Sequence, residues 1–380
     1  MKVLIAVGGG GHFSPALAVI EKMPKDWDIL LVGRKYAFEG DQTLSFEYRT
    51  AHRLGLPFVS LTTGRLQRKF TRYTFASLIK VPVGLTQSMK ILRRYQPDIV
   101  LSFGGYVSFP VVIAAAILHI PIVIHEQILH AGLANKVAAR FATKICISWR
   151  ESQHYFPKGK TILTGNPLRK EFFSVKNKDN GQETRKYDNN LPLIYITGGS
   201  GGAHGINLLI EGCLEKLLEN YTVIHQTGDA KEFGDYARLE KLKRHLPAIL
   251  QKRYILQKFI EPERIMDILN NADLVISRSG INSVTELLYL GKPSLLIPLP
   301  YGQHNEQLTN ALFVKSFGLA EVIDQRIATS ATVLQKITNM ISNLDFYASH
   351  KQETRALIKI DATEKILEEV RDAKEKRISA

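Results

Sequence analysis

Short β-branched runs alternate with helix-length segments along the whole chain, and this alternation restricts the fold more than any other feature. The runs cover residues 3–7, 29–32, 58–61, 99–102, 122–125 and 145–148 in the first half, and 193–197, 223–226, 254–257, 274–277 and 294–298 in the second. Strands separated by helical stretches of about 10–15 residues form βαβ units, which build parallel sheets. The two halves also repeat one pattern. Residues 3–7 run into Gly8-Gly9-Gly10-Gly11-His12, and residues 193–197 run into Gly198-Gly199-Ser200-Gly201-Gly202-Ala203-His204. In each, a strand meets a glycine-rich turn and then a helix. The expected fold is α/β, with two Rossmann-like parallel-sheet domains facing a cleft and ligands at the C-terminal edges of both sheets. At 380 residues the chain has room for two or three domains. The polar stretch 174–192, with Asn189-Asn190 before a proline, is its best boundary.

Charge separates the halves. The net +14 resolves into +13 on residues 1–173 and +1 on residues 174–380, so an anionic partner is expected to meet the first half. Nucleic acid, an anionic membrane and a phosphorylated lipid all fit that balance. The two cysteines, Cys146 and Cys213, sit on separate apolar stretches, which excludes a disulfide framework and points to a reducing compartment. The start of the chain enters a strand at once and lacks the pattern of a signal peptide. The apolar run 107–124 is broken by Pro110, His119 and Pro121 and reads as a helix plus a strand rather than a membrane span. The expected location is cytoplasmic.

Several motifs fall at strand ends. A glycine-rich turn lets the backbone approach a ligand, and the following helix N-terminus offers N–H groups to anions. Alone, such a turn also serves tight strand–helix packing, but Ser102-Phe103-Gly104-Gly105-Tyr106 supplies a third example. Neither the dinucleotide fingerprint nor the P-loop lysine pattern is matched, which disfavours nicotinamide chemistry and ATP hydrolysis. In Ser277-Arg278-Ser279-Gly280-Ile281-Asn282-Ser283-Val284-Thr285-Glu286, a strand, a turn and a helix N-terminus suit a phosphate, and Glu286 suits a ribose diol. Thr164-Gly165-Asn166-Pro167-Leu168-Arg169 places an arginine near the expected hinge. His125-Glu126-Gln127 ends a strand in three polar residues, and Tyr301-Gly302-Gln303-His304-Asn305-Glu306-Gln307 offers amides and carboxylates to sugar hydroxyls. His12, at a helix N-terminus, suits a neutral base. Asp26 and Asp28 have D-x-D spacing but precede a strand, so no metal site is expected. Residues 65–94 mix Arg68, Lys69 and Arg72 with Phe75 and Ile79, the composition of a segment lying on an anionic bilayer.

Taken together and in this order, the motifs resemble the MurG-type glycosyltransferases of bacterial peptidoglycan synthesis over nearly the whole chain. The likeness runs from Val7-Gly8-Gly9-Gly10-Gly11-His12-Phe13-Ser14-Pro15 through Gly104-Gly105-Tyr106-Val107-Ser108, His125-Glu126-Gln127, Asn135-Lys136, Thr164-Gly165-Asn166-Pro167, Gly198-Gly199-Ser200 and Arg278-Ser279-Gly280 to Asn310-Ala311-Leu312. The resemblance implies a GT-B fold. It implies an acceptor and membrane-facing domain over 1–165, a UDP-GlcNAc-binding domain over 166–345, and helices over 346–380 packing back toward the first domain. It implies inverting transfer of N-acetylglucosamine from UDP-GlcNAc to the muramoyl C4 hydroxyl of lipid I, giving lipid II and UDP, with no cofactor and no metal for chemistry. The enzyme would be peripheral on the cytoplasmic face of the bacterial inner membrane. Its partners would be UDP-GlcNAc, lipid I, anionic inner-leaflet lipids and other cell-wall synthesis proteins, with no nucleic acid.

Carried over residue by residue, the resemblance assigns catalysis and acceptor contact to His12 and Glu126, and substrate binding to Tyr106 and Asn135. Gly9, Gly10 and Gly11 fall near the reacting sugar and phosphates, Arg169 and Ser200 at the diphosphate, and Ile260 where a backbone group reads uracil. Ile281, Asn282, Ser283, Val284, Thr285 and Glu286 form the helix-terminus site, and Glu306 and Gln307 face the donor sugar. The sequence departs from the family at Val7 and Gly9 in the first loop. It departs again at Phe109, at Ile128 for an asparagine, at Gly201 for a glutamine, and at Glu306 for a glutamine. The rival readings are a diacylglycerol glycosyltransferase, a sugar-nucleotide epimerase on a similar fold, and a basic nucleic-acid-binding module.

Overall fold

The alternation seen in the sequence becomes two all-parallel sheets. The computed structural model describes residues 1–36, 44–64, 72–173, 191–199, 201–230, 232–301 and 305–378, with the backbone alone for 72–80, 262–263 and 376–378. One sheet holds β1 (Lys2–Ala6), β2 (Asp28–Gly33), β3 (Phe58–Ser60), β4 (Ile99–Ser102), β5 (Ile122–Glu126), β6 (Lys144–Ile147) and β7 (Thr161–Leu163), in the order β3-β2-β1-β4-β5-β6-β7. The other holds β8 (Leu193–Thr197), β9 (Thr222–Gln226), β10 (Tyr254–Gln257), β11 (Leu274–Ser277), β12 (Ser294–Leu296) and β13 (Ala320–Val322), in the order β10-β9-β8-β11-β12-β13. Both are doubly wound, with the strand order reversing beside the first strand of each sheet. These are two Rossmann-like domains.

The period of two along β1 explains the first core. Val3 and Ile5 pack with Phe13, Ile99, Leu101, Val123 and Cys146 on one face, whereas Leu4 and Ala6 pack with Val100, Val111, Val112, Ile122 and Ile124 on the other. Helices cover both faces, so β1 reads as continuous apolar sequence. Each fully buried branched side chain contributes roughly 1.5–3 kcal/mol. In the second domain, Ile194, Ile196, Val223, Leu274 and Ile276 are covered by Ile206, Ile210, Leu217, Val333 and Ile337.

The chain divides into a unit of Met1–Lys170 with Lys359–Ala380 and a unit of Glu171–Ile358. The expected limits at 165 and 346 therefore lie elsewhere. Residues up to Ile358 stay with the second unit, where Arg355 stacks 4.9 Å over the Tyr289 ring. The chain from Lys359 joins the first unit, where helix Ala362–Ile378 packs through Ile366, Leu367 and Val370. Two strands escaped the sequence reading, β7 and β13. Each is a three-residue strand at a sheet edge.

Among the described residues, no helix is long and apolar enough to cross a membrane. The run 107–124 becomes helix Ser108–Ile117 and the start of β5. Cys146 and Cys213 are buried free thiols.

Candidate active site

In the first domain β1 and β4 lie side by side where the strand order reverses, the usual ligand position in a doubly wound sheet. The turns that follow them touch backbone to backbone. A side-chain carbon on Gly8 would stand 2.5 Å from Gly105 Cα, so neither position has room for one. His12 enters the first turn of helix Gly10–Lys22 and is half-buried. Its Nδ1 lies 2.8 Å from the Phe103 carbonyl oxygen, so Nδ1 carries the hydrogen and donates it. Its Nε2 lies 3.2 Å from where a side-chain carbon of Gly105 would be; a larger residue there would cover it. Burial, and then the charge of Arg34, holds the imidazole below its ordinary pKa and keeps it neutral.

His125 and Glu126 end β5 and are buried. His125 lies with Nε2 3.3 Å from the Gly165 carbonyl and 3.2 Å from Ser148 Oγ, and burial pushes its pKa down to about 4. Glu126, expected to meet substrate, is 1 % exposed and turned toward its own loop. Its Oε1 accepts from Ile128 N–H, and its Oε2 accepts from Gly132 N–H and from Asn135 Nδ2 at 3.1 Å each. Glu126 and Asn135 thus anchor residues 127–135, and both carboxylate oxygens expected to meet substrate accept hydrogen bonds from that loop. Sequence reasoning passed over Arg34, at the end of β2. It donates through Nε to the buried Glu47 and takes the Tyr106 hydroxyl as a further partner. The signal was a Gly33-Arg34 strand end at the same sheet edge as the two glycine turns.

In the second domain the reversal falls between β8 and β11. The turn after β8 fits closely: a side-chain carbon on Gly202 would come within 2.1 Å of the Thr227 carbonyl oxygen. Ser200 lies outside the described residues. The turn after β11 leads into helix Ile281–Leu290. Ile281, Val284 and Thr285 are core side chains, with Thr285 Oγ1 donating to the Ile281 carbonyl, so only their backbone can serve a ligand. Asn282, Ser283 and Glu286 are half-buried. Glu286 acts on Tyr195, whose hydroxyl is pushed up to about 12 by burial first and by that carboxylate in addition. This places Glu286 within electrostatic reach of β8.

Two expected donor contacts are partly committed to the protein itself. The Ile260 N–H donates to Gln226 Oε1, and Gln226 Nε2 donates to the Gly199 carbonyl. Gln226 thereby ties the glycine turn to Ile260, where uracil contact was expected, and leaves Ile260 its carbonyl. Gln307 Oε1 accepts from Leu299 N–H at 2.9 Å. Arg278 donates to the carbonyls of Ile297 and Pro298, and burial lowers its pKa to about 10. Glu306 is held above the ordinary carboxylate range by burial. Arg169 is buried at the end of the first unit, one residue before its limit at Lys170.

Of the expected membrane residues, Arg68 and Lys69 lie outside the described residues. Arg72, Phe75 and Ile79 fall on the backbone of helix Arg72–Tyr95. Further along that helix, Leu85 and Met89 with Ile117 line an apolar groove of about 630 Å³, rimmed by Lys90, Arg93 and Arg94. Among the described residues no group of three His, Cys, Asp or Glu stands together as a metal site.

The glycosyltransferase family 28 N-terminal domain matches residues 3–147, and the glycosyltransferase family 28 C-terminal domain matches residues 193–370. A UDP-N-acetylglucosamine--N-acetylmuramyl-(pentapeptide) pyrophosphoryl-undecaprenol N-acetylglucosamine transferase of Lachnospira eligens is 32% identical, covering 98% of this chain and 99% of its own. A relative of the same name from Clostridium botulinum is 35% identical over 90% of each chain. The crystal structure of Acinetobacter baumannii MurG superposes with a TM-score of 0.68 at 24% identity, over 98% of this chain and 99% of that one. A UDP-GlcNAc 2-epimerase from Neisseria meningitidis bound to UDP-GlcNAc gives 0.66 at 16% identity, over 98% and 100%.

Proposed function

The chain belongs to glycosyltransferase family 28, and we propose that it catalyses the reaction for which its full-length relatives are named. It is a hexosyltransferase that moves N-acetylglucosamine from UDP-GlcNAc to the muramoyl C4 hydroxyl of lipid I, giving lipid II and UDP. The observation that carries this reading is His12: a neutral imidazole at the switch point of the first sheet, Nδ1 committed to Phe103 and Nε2 against Gly105. In the proposed step Nε2 takes the proton of the attacking hydroxyl while its oxygen bonds the anomeric carbon. The bond to UDP breaks with its electron pair on the leaving diphosphate, and the anomeric centre inverts. The N-terminus of helix Ile281–Leu290 stabilises that charge in this proposal, with no divalent ion required.

The test is mass spectrometry of the products formed from UDP-GlcNAc and a short-chain lipid I analogue. A disaccharide product that disappears in His12→Ala supports the reading. Transfer to diacylglycerol instead, or conversion of UDP-GlcNAc without any acceptor, overturns it in favour of the glycolipid or epimerase alternatives.

The location belongs to the same proposal. The acceptor's reactive sugar stays near the membrane, and the basic-rimmed groove of Leu85, Met89 and Ile117 provides apolar and cationic contacts for an anionic inner leaflet.

A further inference from the structure

Gln127 stands between two histidines. Its side-chain nitrogen is placed 2.5 Å from His12 Nδ1, the same atom that faces the Phe103 carbonyl oxygen at 2.8 Å. A ring nitrogen aimed at a carbonyl carries the hydrogen, so the amide group meeting it has to accept, and only the amide oxygen accepts. The two ends of an amide share one shape and are told apart by the bonds they make. Turning the amide so that Oε1 meets His12 sends the NH₂ group to the other side. On that side two buried atoms otherwise have no partner, Gln127 Oε1 and His125 Nδ1. The Gln127 amide is also a hydrogen-bond partner of the His125 ring. The turned amide donates to His125 Nδ1, and His125 Nε2–H then donates toward the Gly165 carbonyl and Ser148 Oγ. One assignment satisfies both orphaned atoms and removes the clash of two donors.

We propose that Gln127 is a positioning residue for sugar transfer: beside the Phe103 carbonyl it is a second acceptor for Nδ1–H of His12, it donates to Nδ1 of His125, and it so reinforces the His12 tautomer and ring orientation in which Nε2 receives the acceptor's proton. The inference rests on reading His12 as the base. His125 suits the other end of the link because its buried ring stays neutral and keeps a lone pair on Nδ1. The groups bearing on His12 are Arg34 from the end of β2, His125 and Gln127 from the end of β5, and the Phe103 carbonyl from the end of β4. Of these, Arg34 alone is charged at neutral pH.

The test uses ¹⁵N-histidine NMR of the free protein together with kinetics of Gln127→Leu and Gln127→Glu. Wild type is expected to show His12 with Nδ1 protonated and Nε2 bare. Gln127→Leu leaves the Phe103 carbonyl as the remaining acceptor for Nδ1–H, so it should show a measurable share of the other tautomer and a kcat lowered several-fold, with unchanged UDP affinity by calorimetry. Gln127→Glu keeps an acceptor for Nδ1–H, so it should retain the tautomer and recover much of kcat. Its negative charge favours the imidazolium, which moves the acid limb of kcat to higher pH. A His12 with bare Nδ1 in wild type overturns the inference whether or not either variant folds. So does a Gln127→Leu protein with wild-type tautomer and wild-type kcat. The spectra are taken without turnover, so a wild-type protein that forms no disaccharide rejects the proposed function and leaves the tautomer result to be judged by itself.

Discussion

Arg34 donates through Nε to Oε1 of Glu47 across 3.0 Å, and the carboxylate is fully buried while the arginine side chain keeps 29% of its surface exposed. This pairing fixes a positive charge beside the first glycine turn, with Arg34 Nη2 3.0 Å from where a side-chain carbon of Gly9 would stand. The charge adds to burial in lowering the His12 pKa. Arg34→Met should therefore raise that pKa. A base works only when unprotonated, so the acid limb of kcat/KM should move to higher pH. A pH–rate profile checks this, and an unmoved limb removes either the influence of Arg34 or the role of His12.

Acid should weaken the fold through two histidines that are fully buried and neutral. Burial pushes His125 down to about 4 and His225 to about 3, with His225 held between Tyr254 Oη and Asn207 Oδ1. Above the unfolded pKa of about 6.5 neither state is protonated and stability is intact. As pH falls below that value the unfolded chain gains the protons first, so stability drops, by roughly 2 kcal/mol per histidine at about pH 5. His225→Gln should remove one of the two contributions. Urea melts at neutral and mildly acidic pH, compared between the two proteins, measure it.

Gly8 and Gly11 should respond oppositely to alanine. The new carbon at Gly8 would collide with Gly105 Cα and the Gly104 carbonyl, whereas at Gly11 nothing lies within 4 Å. Gly8→Ala should force the two turns apart and cost both thermal stability and turnover. Gly11→Ala should melt like wild type. A raised KM in that variant would mark where substrate packs against the turn.

Lys90, Arg93 and Arg94 should carry membrane attachment. At roughly 1 kcal/mol for each basic residue near an anionic surface, replacing all three by alanine should weaken binding to phosphatidylglycerol vesicles by about a hundredfold in low salt. Turnover of a short-chain soluble acceptor should hold. Equal vesicle binding by the triple variant would move the docking face elsewhere, with residues 65–80 the next to test.

Turnover should persist in EDTA, on the proposal that helix N–H groups neutralise the leaving diphosphate. Loss of activity in chelator, restored by one divalent ion, would reverse this expectation.

Most of the fold was legible because buried parallel strands are written as unbroken apolar runs, as at residues 99–102 and 274–277. β7 and β13 were not; each is only three residues long. The site was legible at the level of motifs and opaque at the level of bonds. Glycine turns and His12 announce a ligand edge through residue type alone. Whether Glu126 faces substrate or its own loop depends on where Gly132 and Asn135 fold back, and no spacing encodes that. Arg34 escaped for the same reason, and Gln127 was read only as part of the His125-Glu126-Gln127 motif, without its partner. Their partners Glu47 and His12 are distant in sequence or on another strand, so their chemistry exists only after the sheet has formed.

Helix Ala362–Ile378 covers part of the first sheet with Ile366, Leu367 and Val370, yet it is synthesised after the whole second domain. On the ribosome, Val3, Ile5 and Val123 must wait for that helix before their face is sealed. The N-terminal domain is therefore not finished when its own strands have emerged. A product that stops early leaves a greasy surface open to chaperones and proteases, however well its second domain has folded. The placement of one helix makes completion of the first domain a readout of chain length.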